Sequence, residues 1–177
     1  MIIPHGIDDL ARHQGWMPLG RSRDTTPFAC ESVRLFWRHD GQRLYPNASA
    51  ILLLCDGGGS NSCHKHVFKE DLQGVVNDLA VPIRVAHSPA YCSKCNPIER
   101  RLFSHVTRAW QGGRFDSLHT VKGLLQKTKT HQGLPVTVRV LDTRYEGGRT
   151  VSEALKKHMP IVFEKLLPQW NYWALPQ

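Results

Sequence analysis

Ile51-Leu52-Leu53-Leu54-Cys55-Asp56-Gly57-Gly58-Gly59-Ser60-Asn61 reads as a strand that ends on an acid and turns at once. The first five residues are apolar at every position. That pattern predicts a strand covered on both faces, as in a parallel sheet. Asp56 then lies at the carboxyl end of the strand, where open α/β sheets gather their ligands. The same residue suits a plain turn, with the glycines supplying φ > 0 geometry. The run lacks the Gly-Lys-Ser/Thr ending of a phosphate loop and the third glycine of a dinucleotide fingerprint, which argues against a nucleotide fold.

Downstream, Phe68, Leu72, Val75, Val76 and Leu79 recur at helical spacing, with Lys65, Lys69, Glu70 and Asp78 on the other side. Ile83 and Val85 mark a short strand from Pro82 to Ala86, and a loop runs from His87 to Cys95. Asn96-Pro97-Ile98-Glu99 opens the next helix, Asn96 as cap and Pro97 in the first turn. Its apolar stripe is Ile98, Leu102, Val106 and Ala109. Glu99 can reach back to the cap amide as half of a capping box. Turned the other way, it is a second carboxylate that, with Asp56, can hold a divalent metal for phosphoryl transfer.

Upstream, His5 to Asp9 and Trp16 to Gly20 predict a hairpin around Arg12-His13-Gln14-Gly15. A helix starts at Asp24-Thr25-Thr26-Pro27, buries Phe28, Val33, Phe36 and Trp37, and ends near Asp40-Gly41. Toward the C-terminus, a helix covers roughly 117–130, a strand carries Val136, Val138 and Val140, and a last helix spans Val151 to His158. This order predicts an α/β fold whose sheet has an antiparallel edge and a parallel remainder.

The 177 residues suit one domain with a real core. Lys+Arg total 23 against 15 Asp+Glu, a net charge of +8 that favours polyanionic partners. Basic residues gather from Glu99 onward: Arg100, Arg101, Arg108, Arg114, Lys122, Lys127 and Lys129. They form either a solvated helix face or a phosphate-binding surface. No apolar run is long enough to span a bilayer. The odd count of five cysteines and the absence of a leader-like start suit a reducing cytoplasm and free thiols. Cys92-Ser93-Lys94-Cys95, with Cys63, His64, His66 and His87, leaves a small zinc-binding module open as an alternative. Without a second such pair, Cys92 and Cys95 are expected reduced and metal-free.

Pro89-Ala90-Tyr91 through Asn96-Pro97-Ile98-Glu99 resembles the signature of mariner-like DDE transposases. More closely, Leu54-Cys55-Asp56-Gly57-Gly58-Gly59-Ser60-Asn61 together with Asn96-Pro97-Ile98-Glu99-Arg100-Arg101-Leu102-Phe103 resembles the Rhodopirellula transposase family of bacterial insertion sequences. The resemblance extends over essentially the whole chain, including Gly15-Trp16, Asp24-Thr25 and Trp170-Asn171-Tyr172. Cys95 departs from it, standing where an aromatic residue is expected.

The resemblance implies an RNase H-like mixed sheet flanked by helices, one domain over 1–177 with a core in 1–116 and an extension in 117–177. It makes Asp56 the second and Glu99 the third of three catalytic acids, both metal ligands for Mg²⁺ or Mn²⁺. The first acid and its strand would precede Met1, because Asp8 and Asp9 sit on a later strand. The chain is therefore expected to be the C-terminal part of a transposase, inactive in strand transfer by itself. DNA (element ends and target) is the implied partner, with Lys94, Arg100 and Arg101 as phosphate contacts. A homo-oligomer and a cytoplasmic, nucleoid-associated location follow from the same resemblance. The alternative from another class is a non-catalytic basic DNA-binding remnant.

Overall fold

The computed structural model describes residues 2–89, 92–128 and 135–177. The fold is α/β, with two mixed sheets and helices, consistent with an RNase H-like arrangement. The chain forms two compact units, one from 1–23 and 96–144, the other from 24–95 and 145–177.

In the first unit, β1 (Ile3–Pro4) and β2 (Ile7–Asp9) both pair antiparallel with β3 (Gln14–Gly20). This is the expected hairpin, turning through His13 in the left-handed region at φ 54°. Across β3, Met17 and Leu19 enter a core with Leu102, Val106, Val121, Leu125 and Val138. The expected late strand, here called β6 (Val136–Leu141), adds parallel to β3 with Met17 opposite Val138.

In the second unit, α1 (Thr26–Phe36) is capped by the Thr25 side chain, which accepts from Phe28 N. The helix runs on through a π-helical turn at Trp37–Gly41 into α2 (Gln42–Leu44). Phe28, Val33 and Trp37 are buried as expected; Phe36 is only partly so. Strand β4 (Ile51–Cys55) pairs parallel with β5 (Ile83–His87). Helix α3 (His66–Leu79) lays Phe68, Leu72, Val75, Val76 and Leu79 into the core, all buried as their spacing predicts.

Three expectations need correction in this unit. Strand β4 is not covered on both faces: Leu52 is 59% and Leu54 42% exposed, because β4 is the edge of its sheet and its helices pack on one side only. Lys69 is not on the outer face of α3. It is 4% exposed, its stem lies in the core, and Nζ donates to Cys63 O at 2.6 Å. The C-terminal segment holds more than the last helix. After α6 (Glu153–Lys157) come β7 (Ile161–Phe163) and β8 (Asn171–Ala174), which complete a β4-β5-β8-β7 sheet.

In the first unit, the Glu99 segment is helical, but its first full turn, Glu99–Phe103, is π-helical before α4 (Ser104–Trp110) resumes. Helix α5 (Leu118–Gln126) starts on Ser117, whose hydroxyl accepts from Thr120 N at 3.1 Å. The end expected for this helix, 129–130, lies outside the described residues.

Candidate active site

Asp56 stands one residue past the last rung of the β4–β5 ladder, Cys55 opposite His87. The side chain is exposed, at the carboxyl end of the strand as the sequence predicts. Partial burial raises its pKa; the Gly58 amide, hydrogen-bonded to the carboxylate, pulls it down, and the nearby Asp24 carboxylate pushes it up again. Turned with its nitrogen toward acceptors, the Asn61 amide donates to Asp56 Oδ1 at 3.1 Å and to Gly58 O at 2.9 Å. Gly59, at φ 63°, makes the left-handed step that wraps the loop back on the carboxylate.

Beneath the loop lies a buried polar group. His87 Nδ1 is 3.2 Å from Asp56 O, and His87 Nε2 is 3.3 Å from the Tyr172 hydroxyl. Burial lowers the His87 pKa, which favours the neutral ring. Lys69 Nζ sits 5.2 Å from the centre of the Tyr172 ring. Cys30, Cys55 and Cys63 are buried here as free thiols, and burial pushes Cys55 up to about 12.

Glu99 belongs to the other unit. It opens the π-helical turn, a deviation frequent at functional sites. The turn is clamped to the β1–β3 layer. Arg101 Nε donates to Asp8 Oδ2 at 2.6 Å, with the Asp8 side chain only 2% exposed. Arg101 also lies 2.9 Å from His13 Nδ1. A Cβ on Gly6 would come within 2.4 Å of the Phe103 ring, so glycine is required for that close approach. Asp8 sits on β2 and serves this ion pair. Of the other basic positions named from the sequence, Lys94, Arg100, Arg108, Arg114 and Lys127 are exposed, Lys122 is half-buried, and Lys129 lies outside the described residues.

Two residues enter the surroundings of Asp56 in a way the sequence does not show: Asp24, which acts on its carboxylate, and Tyr172, which meets His87 across 85 positions. Neither carries a local motif that points to Asp56. The thiol expectation is overturned at one place: Cys92 and Cys95 are paired as a disulfide across a single helical turn that brings their Cα atoms to 5.5 Å. Among the described residues, no group of three or more His, Cys, Asp or Glu gathers to hold a metal.

The donors present are carboxylate oxygens, hard ligands that suit Mg²⁺ or Mn²⁺ better than zinc. No curated protein and no solved structure matches the chain. A family model does, over residues 1–176, and it is described as the Rhodopirellula transposase DDE domain. A match of that length, on a chain with an acid at a strand end and another at a helix start, means that this protein belongs to the Rhodopirellula transposase DDE family.

Proposed function

We propose that the chain takes part in DNA transposition, with Asp56 and Glu99 each as a catalytic acid and a ligand for Mg²⁺ or Mn²⁺. The observation that carries this reading is Asp56, exposed past the end of β4 and held by the Gly58 amide and Asn61. When bound, the cation supplies charge for phosphodiester cleavage and strand transfer. Asp56 and Glu99 would supply hard carboxylate oxygens to hold it. Burial raises the Asp56 pKa, and the Gly58 amide, which bonds the ionised carboxylate, offsets part of that rise.

Phosphate contact falls to Lys94 and Arg100, both exposed. Arg101, committed to Asp8, acts instead by fixing the helix that carries Glu99. We assign 1–177 to a single RNase H-like catalytic domain. Membership in the family implies DNA as partner, and DNA binding in turn would place the protein with the nucleoid. No helix among the described residues is long and apolar enough to cross a membrane.

The test is to incubate the purified protein with Mn²⁺ and labelled DNA carrying its own element ends. Nicking at those ends, abolished by Asp56→Asn and by Glu99→Gln, supports the catalytic reading. DNA binding that is undiminished in both variants, with no nicking by the parent, favours the basic DNA-binding remnant instead.

A further inference from the structure

Asp56 is the first residue beyond the β4–β5 ladder, so no strand partner holds its carbonyl in that ladder. A side chain does so instead. Asp56 O can only accept, so His87 Nδ1 at 3.2 Å must carry the proton. The neutral ring then presents Nε2 as an acceptor, and the Tyr172 hydroxyl at 3.3 Å donates to it. Every hydrogen in this chain has one direction: Tyr172 to His87, His87 to Asp56. Both residues are buried, His87 at 7% and Tyr172 at 0% exposure. The Tyr172 ring is held in turn by Lys69 on one side and Phe163 on another. Ser88, next to His87, donates its amide to Cys55 O at 2.8 Å and its hydroxyl to the same oxygen at 3.3 Å. The two carbonyls at the end of β4 are thus both fastened to the end of β5.

We propose that His87 and Tyr172 are positioning residues for Asp56: strand β8, near the C-terminus, sets the place of the metal-binding carboxylate through the imidazole of His87. This rests on the reading of Asp56 as a metal ligand. Neither residue touches the cation or the DNA. Their effect reaches the carboxylate through the Asp56 main chain. Side chains locked by such outer contacts are what hold ligand groups in a productive geometry.

The readout is hydrogen exchange at the Gly58 amide, which opens when Asp56 wanders, since that amide bonds the carboxylate. It is measured on the full chain without metal. In His87→Ala and in Tyr172→Phe, Gly58 exchange should quicken by about five- to tenfold, the ratio one net hydrogen bond supplies. His87→Asn, whose amide nitrogen stands near the place of Nδ1, keeps the bond to Asp56 O but not the one from Tyr172, and should return the rate part of the way to the parent's. Rescue of that kind separates positioning from a general loss of packing, which a shorter side chain would not repair. If His87→Ala fails to fold, Tyr172→Phe, which removes one oxygen atom, still decides. Exchange at the parent rate in Tyr172→Phe overturns the proposal.

A parallel Mn²⁺ titration distinguishes the two readings. Parent binding that Asp56→Asn abolishes, and that Tyr172→Phe and His87→Ala weaken several-fold, supports both. Parent binding indifferent to Asp56→Asn sinks the metal reading while the exchange data still judge the hydrogen-bond chain. Binding abolished by Asp56→Asn but unchanged in the two supporting variants overturns the positioning role alone.

Discussion

Arg101 and Asp8 show how one residue's duty depends on its partner. Read from its neighbours, Arg101 is one more cation in a basic helix; in the fold it pairs with a carboxylate that is 2% exposed. Removing the cation strands a buried charge, which in fully buried pairs costs about 3–5 kcal/mol. Arg101 is itself 28% exposed, so solvent screening lowers the expected cost of Arg101→Ala to roughly 2–3 kcal/mol. Urea unfolding measures it. Arg100→Ala should leave unfolding within about 0.5 kcal/mol of the parent yet weaken DNA binding. Equal losses of stability in the two variants would contradict this division. The buried thiols make a second residue-scale prediction. Burial raises Cys30 and Cys55 above the ordinary thiol value of 9.0. A raised folded pKa means stability that is fully present below pH 9 and lost as pH climbs beyond it. Stability should fall between pH 9 and 11, by at most about 1.4 kcal/mol per pH unit for each thiol. Cys30→Ala should flatten that fall. Maleimide labelling at pH 8 should reach Cys30 and Cys55 only in urea.

At the scale of elements, β4 carries the sharpest contrast between pattern and place. Its five apolar residues read as doubly covered, yet the strand is an edge with Leu52 and Leu54 exposed. An apolar edge without a charge or proline invites pairing with another chain. Leu54→Lys should therefore suppress concentration-dependent aggregation, followed by light scattering. Unfolding free energy should change by less than about 0.5 kcal/mol, because the side chain already faces solvent. A large loss of stability would mean that Leu54 is covered in solution. Helix α3 is the converse case. Its five core residues were legible from spacing alone, since helical periodicity is local. Lys69 was not, because its burial depends on Tyr172 and on the Cys63 carbonyl.

For the whole molecule, the net charge of +8 and the exposed cations at Lys94, Arg100, Arg108, Arg114 and Lys127 bear on DNA. Binding to duplex should weaken linearly on a log–log salt plot, by roughly 0.9 for each phosphate neutralised. Anisotropy titrations between about 50 and 200 mM salt would show it. Arg100→Ala should lower the slope by about one, and a salt-independent affinity would refute phosphate contact by these residues. The sequence by itself determined what local chemistry dictates: the hairpin, the start of α1 within 24–27, the α3 stripe, the strand that delivers Asp56 to its carboxyl end, and the helix that starts before Glu99. Each rests on residues within a few positions of one another, where spacing and turn preference decide the backbone. Only the tertiary structure decided which cations are tied down, which apolar residues stay in water, and what holds Asp56. Asp8 and Arg101 are 93 positions apart, and His87 and Tyr172 are 85 apart. Contacts at such separation depend on how strands pair and helices pack, and a residue's type does not carry the identity of its distant partner.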